Sequence, residues 1–241
     1  ANRITDIVVP DPDYPYRYVQ MTIHEKGKSV DKLYALPWHG LNPENGYPLI
    51  FVDGEVSDDY ATYFREIKKE ELVNAGVTVP PYFGSLRNTF EWRGLSMGVL
   101  FTYKAGYVFR RKSIGPGQEY LSVPVYHMDY FRRWQKPGDE LHTDVPAWAE
   151  RSAPNQRFAA YENSEALVVN GNHVRIQDVN LSYTLSAKQL KNLPVKNLRV
   201  YVYGRNLGIL WKANKNDIDP DYVNADYTSP KTFAAGIQID F

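Results

Sequence analysis

The chain of 241 residues balances 28 Lys and Arg against 28 Asp and Glu, so it presents no net field for nucleic acid or any other polyanion. It contains no Cys, which excludes disulfides and thiolate chemistry, and its longest apolar runs are four residues, as at 200–203, against the roughly 20 that a membrane-spanning helix needs. Aromatic residues make up 14%, beside 16 Gly and 16 Pro, a composition that favours strands and turns over long helices.

In chain order, residues 29–41 and 48–52 flank Asn42, Pro43, Glu44, Asn45 and Gly46, whose turn chemistry predicts a hairpin. Residues 86–92 set Leu86, Phe90 and Trp92 opposite Arg87, Thr89 and Glu91. Residues 95–107 set Leu95, Met97, Val99, Phe101 and Tyr103 opposite Ser96, Gly98, Thr102 and Lys104, and the Trp92-Arg93-Gly94 corner joins the two stretches as a second hairpin. In 172–185, Val179, Leu181, Tyr183 and Leu185 share a face while Val174 and Ile176 fall out of phase, which predicts a bulge near Gln177 and Asp178. In 197–211, Leu198, Val200 and Val202 share a face as far as Gly204, after which Leu207 and Ile209 change sides. A short connection makes these last two an antiparallel pair. At the end, Phe233, Ala235, Ile237, Ile239 and Phe241 alternate with Thr232, Ala234, Gly236, Gln238 and Asp240.

The pattern predicts an all-β chain of about seven antiparallel strands. Strand parity puts the long connections 54–81, 108–171 and 212–231 at one end of the sheet and the short turns at the other, as in outer-membrane barrels. Alternation does not say whether the apolar face meets lipid or a core. A secreted β-sandwich that binds or cleaves carbohydrate is therefore the alternative.

No nucleophile elbow, phosphate loop or H-E-x-x-H motif is present, and His24, His39, His127, His142 and His173 are dispersed. Asp139 and Glu140 sit in a Pro-Gly turn, as solvated charge does. Asp217, Asp219 and Asp221 are a weak calcium candidate, because alternate carboxylates suit a hard cation, although Pro220 interrupts them. The connection 108–171 carries nine aromatics: Phe109, Tyr120, Tyr126, Tyr130, Phe131, Trp134, Trp148, Phe158 and Tyr161. So many imply either burial of the loop upon itself or a binding surface, with Tyr130, Trp134 and Trp148 the chosen contacts. Arg132, Arg133 and Lys136 beside them suit rim salt bridges. Trp38, Trp92, Tyr107, Tyr183 and Trp211 stand at strand ends, where their amphipathic rings would form the two girdles of a barrel.

Several stretches resemble the SusC/RagA family of TonB-linked outer-membrane transporters. They are GLNPENGYPLIF at 40–51, SLRNTFEWRGLSMGVLFTYKAGYVFRR at 85–111, HMDYFRRWQKPGDELHTDVP at 127–146, VVNGNHVRIQDVNLSYTLS at 168–186, VKNLRVYVYGRNLGILWKANKNDIDPDY at 195–222 and the closing TFAAGIQIDF. The resemblance implies a 22-stranded barrel in the bacterial outer membrane, filled by a plug and capped by a SusD-like lipoprotein lid. It implies import of oligosaccharides or peptides driven by the TonB system, with lipid and lipopolysaccharide around the wall, no cofactor and no catalysis. Seven strands do not close a membrane barrel. The chain is therefore expected to be the C-terminal portion of a longer polypeptide, with the plug and the rest of the barrel lying elsewhere. In the family the final aromatic, here Phe241, is an assembly signal, and the 108–171 contacts would meet the lid or substrate.

Overall fold

The computed structural model describes residues 2–7, 14–21, 23–115, 127–148, 156–191, 194–225 and 227–241. Among them run strands β1 (Lys32–Ala35), β2 (Ile50–Val52), β3 (Glu55–Ser57), β4 (Val73–Val77), β5 (Tyr82–Trp92), β6 (Leu95–Ala105), β7 (Val108–Arg110), β8 (Val168–Asn170), β9 (His173–Ser186), β10 (Asn197–Lys212) and β11 (Thr232–Asp240). Short helices are α1 (Arg17–Gln20), α2 (Tyr60–Glu66) and α3 (Gln156–Glu162). The chain divides into two compact units, Ala1–Val79 with Val108–Val169, and Pro80–Tyr107 with Asn170–Phe241.

The second unit is one antiparallel sheet in the order β11-β10-β9-β6-β5. Its register lines up Trp92, Leu95, Tyr183, Val200 and Ile237 across all five strands, and beside them Phe90, Met97, Leu181, Val202 and Ala235. The opposite face carries Glu91, Ser96, Ser182, Tyr201 and Gly236, then Arg87, Leu100, Asp178, Arg205 and Thr232. Where the ladder passes from Leu100–Asp178 to Phe101–Ile176, Gln177 is the extra residue. This is the bulge that the broken alternation predicts, and it returns Ile176 and Val174 to the apolar face. A second shift falls between Arg205 and Gly208, where Asn206 has φ 55 and Gly208 φ 123.

The first unit packs around rings. Asp59 starts α2 by accepting hydrogen bonds from the Thr62 N–H at 3.0 Å and its hydroxyl at 2.7 Å. The helix then buries Tyr60, Tyr63 and Phe64 with Tyr16, Tyr18, Leu36, Ile50 and Ala160, and Tyr16 stacks on Phe64 at 4.1 Å between centroids. A neighbouring cluster joins Ile114, Val145, Phe158, Tyr161 and Leu167. The described residues of the N-terminal stretch and of the connection 108–169 thus fold as one body.

The hairpin expected from 29–41 and 48–52 does not form as such. β1 pairs with β4, and β2 pairs with β3 through Asp53 and Gly54, both at positive φ. The Asn42–Gly46 turn is present, with the Gly46 N–H bonded to the Asn42 carbonyl at 2.8 Å, but it closes only a single Leu41–Pro48 bridge. Pro48 has no N–H to extend a ladder, and the Asp-Gly pair just beyond supplies the two-residue turn that matches strand twist. The large sheet therefore holds five strands rather than seven.

At the Arg93-Gly94 corner both residues have positive φ, 46 and 87, as a type I′ turn requires. A methyl group on Gly94 would lie 2.5 Å from the Thr184 carbonyl oxygen. Gly94→Ala should destabilise the protein by about 1–2 kcal/mol from the backbone alone, with the clash adding to it. An unchanged urea midpoint would contradict this turn.

Candidate functional site

In the first unit the segment Met128–Arg132 winds into a 3₁₀ turn, with the His127 ring accepting the Asp129 N–H at 3.1 Å. Asp129 is 1% exposed and receives Arg111, Arg132 and the Ser113 hydroxyl, the last at 2.6 Å. Burial alone would raise its carboxyl; the Ser113, Arg111 and Arg132 hydrogen bonds outweigh that and bring it down to about 2. This anchor sets which rings face in. Tyr130 lies half-buried, edge-on to Trp148 at 5.4 Å, with the Arg133 guanidinium 3.9 Å from its ring centroid. Trp148 in turn meets Phe158 at 5.9 Å.

Trp134 is buried with Leu41 and Ala147 and donates to Glu140 at 3.0 Å. Its ring fills the space against Gly46, where a Cβ would run into it. The exposed apolar side chains of this surface are instead Met128, Phe131 and Leu141. Phe131 borders a cleft of about 420 Å³ together with Arg111, Arg132, Arg133, Gln135 and His142. Phe109, Phe158 and Tyr161 are buried, and Tyr120 and Tyr126 lie outside the described residues. Asp139 and Glu140 accept local N–H groups, from Gln135 and Lys136 and from Trp134 and Gly138 respectively. They shape the turn.

On the sheet, Trp92 and Tyr183 share one row at the short-turn end, and Trp211 stands at the other end beside Val174 and Tyr103. All three rings are exposed. Trp38 is elsewhere, in the first unit, where it donates to Asp144 at 2.9 Å and leans on Tyr161. Tyr107 is buried over Gly171 and meets His173 at 3.3 Å. Phe241 follows β11 with its ring exposed, and its carbonyl oxygen accepts from Lys196 at 2.7 Å.

The acidic run has cations rather than a vacant cradle around it. Arg175 holds Asp219 at 2.6 and 2.7 Å and reaches Asp221 through Nε at 3.1 Å. Lys104 and His173 complete Asp221 at 2.7 and 3.2 Å. Burial pushes the Asp221 carboxyl up, but His173 and Lys104 hold it well below the usual carboxylate range. Asp217 is exposed, and among the described residues no group of His, Asp and Glu is arranged to hold a metal ion.

No family model matches the chain. Among curated proteins, TonB-dependent receptor P26 of Formosa agariphila is 22% identical over 193 residues, 73% of this chain and 18% of that protein. Among solved structures, the RagAB peptide importer in its open-open state superposes with a TM-score of 0.60 at 20% identity, over 87% of this chain and 22% of that one. The RagAB importer in its closed-closed state gives 0.59 at 21% identity, over 90% and 24%. The fold is that of a SusC/RagA-type TonB-dependent transporter barrel. Such a barrel belongs to the bacterial outer membrane, and this chain spans about a fifth of the length of these relatives. The five-stranded sheet matches a stretch of antiparallel wall in that barrel fold, and the predicted fold class stands.

The anchor of the loop surface has a pH signature. Because the folded value of Asp129 is depressed, its stabilisation is present above its ordinary value near 4 and is lost as pH falls toward about 2. It should amount to about 2 kcal/mol. Asp129→Asn should abolish this acid-side loss and cost roughly 3–5 kcal/mol near neutrality, since Arg111 is left buried without its partner. Acid titration of proteolytic resistance in the first unit checks both.

Proposed function

We propose that this chain forms wall and outer surface of a TonB-dependent importer that takes up oligosaccharides or peptides with a SusD-like lipoprotein as its lid. Transport, not catalysis, is its work, and the plug, the remaining strands and the TonB system act with it. The observation that carries this reading is the two-faced sheet. Leu86, Phe90, Trp92, Val202, Phe233 and Ile237 are all exposed on one face, while the other holds the Arg87–Asp178 ion pair and Arg199 donating to Ser182. A sandwich would cover that apolar face with a second sheet. Acyl chains cover it in a barrel, with lipopolysaccharide at the outer rim. RagAB, whose wall this sheet resembles, is a peptide importer, which supports peptides as one cargo class.

Faces are tested by charge. Ile237→Arg or Val99→Arg should cost about 2–4 kcal/mol near the bilayer midplane. Gln238→Arg, on the opposite face, should be nearly neutral in the same membrane folding assay. Equal costs at 237 and 238 would remove the assignment, and release of the full-length protein by a carbonate wash would favour the sandwich.

The lid surface is tested at the exposed ring. We take Phe131, with Tyr130 and Trp148 behind it, as a lid contact, while Trp134 supports from within. Phe131→Ala should leave assembly intact and weaken lipoprotein recovery, since a few buried aromatics dominate most interfaces. Trp134→Ala should instead destabilise the first unit by about 3–5 kcal/mol. Full lipoprotein recovery with Phe131→Ala would exclude this surface.

A further inference from the structure

The loop after β10 is tied to the polar face of the sheet by side chains from three neighbouring strands. In register across the sheet stand Lys104 of β6, His173 of β9 and Lys212 of β10, with Arg175 two residues further along β9. Lys104, His173 and Arg175 converge on Asp221, and Arg175 also grips Asp219 through two hydrogen bonds. The Lys212 ammonium donates to the Asn216 and Ile218 carbonyls at 2.5 and 3.2 Å. Two more bonds fasten the loop's start, the Ala213 N–H to the Asn172 carbonyl and the Asn214 amide to the Asn170 carbonyl.

His173 is the unusual member. Its ring is 2% exposed, its Nδ1 lies 2.8 Å from the Gly171 carbonyl oxygen, and its Nε2 lies 3.2 Å from an Asp221 carboxylate oxygen. Both of these neighbours only accept. A neutral imidazole has one N–H and satisfies one of them; the imidazolium donates to both. The Tyr107 hydroxyl, 3.3 Å from Nδ1, can donate to that nitrogen once its proton is gone. The charged and titratable groups around the ring are then Tyr107 from the corner after β6, Lys104 from β6, Arg175 from its own strand, Lys212 from β10, and Asp219 and Asp221 from the loop.

We propose that residues 213–225 form a pH-sensitive strap, latched to the polar face of the wall while His173 is an imidazolium and loosened when it loses its proton. Deprotonation removes one of the two charge-assisted bonds and leaves a lone pair facing either Gly171 or Asp221. Arg175 and Lys104 then hold the two carboxylates without it, and Lys212, Ala213 and Asn214 keep only the loop's first residues in place. Loosening bares the Arg175 and Lys104 cations on the wall. The latch is independent of what the barrel carries, so it stands or falls apart from the transport reading.

The test uses the full-length transporter in outer-membrane vesicles, free of other cysteines, with a spin label on Asn224→Cys. The mobile fraction of the label should rise about tenfold from about pH 5 to about pH 8, the scale of one charge-assisted hydrogen bond. His173→Gln, which offers a donor without titrating, should give the same mobility at both ends. Asp221→Asn should likewise remove the dependence and leave the label mobile throughout. Heat modifiability confirms that each variant has assembled. A flat profile in the unmodified protein, or a pH dependence that survives either substitution, overturns the strap.

Discussion

Backbone N–H and C=O groups find no water inside a bilayer, so a wall strand must pair along its whole length and still keep its apolar side chains outward. In the five-stranded sheet the inner strands β10, β9 and β6 pair on both sides, and the apolar side chains keep to one face through the sheet's irregularities. Strict alternation in β9 would leave His173 and Arg175 on the same face as Val179 and Leu181. The extra residue at Gln177 turns the segment over, so that Ile176 and Val174 rejoin the apolar rows while His173 and Arg175 pass to the polar face. β10 makes a matching adjustment between Arg205 and Gly208. The acidic loop therefore finds its cations because of a bulge more than a strand-length of sequence away from it.

The first unit solves a different problem. Its core is built from tyrosines and tryptophans, whose polar ends each need a partner when buried. The Tyr60 hydroxyl finds the Pro48 carbonyl at 2.7 Å, the Tyr161 hydroxyl lies 2.9 Å from Ser113, and the Trp134 N–H finds Glu140. Asp129 accepts from the same Ser113 hydroxyl that meets Tyr161. A buried carboxylate with two arginines contributes little net stability over an apolar substitute, but it fixes one arrangement among the many that interchangeable rings would allow. Here it decides that Tyr130 points inward and Phe131 outward.

Much of the wall was legible in the sequence because its signals are local. Period-two alternation marked β6, β10 and β11, the broken phase at Val174 and Ile176 marked the bulge, and Arg93-Gly94 marked the turn. What misled lay in competition or distance. The Asn42–Gly46 turn carries a hairpin signal of its own, but the two-residue hairpin forms at Asp53-Gly54. The sequence favours Tyr130 and Trp134 over Phe131 as outward contacts, whereas the structure buries Trp134 and exposes Phe131, because adjacent aromatics point apart and the anchor at Asp129 decides which is inside. Asp219 and Asp221 read as a weak calcium candidate because their true partners are remote: Lys104 is 117 residues from Asp221, and Arg175 is 44 from Asp219.

Those remote partners also change what the acidic loop is. Lys104, His173 and Lys212 are directly opposed on three adjacent strands, and like charges in that position repel and weaken the sheet. Lining a wall with them is tolerable only if counter-charge sits among them. Solvent ions would screen exposed lysines, but the His173 and Arg175 side chains are mostly withdrawn from solvent, at 2% and 9% exposure, and ions reach them poorly. Asp219 and Asp221 supply the counter-charge from within the chain, with Pro220 between them limiting the conformations from which they can leave. The loop is thus a working part of the wall's electrostatics, and a substitution in either one is felt in the other.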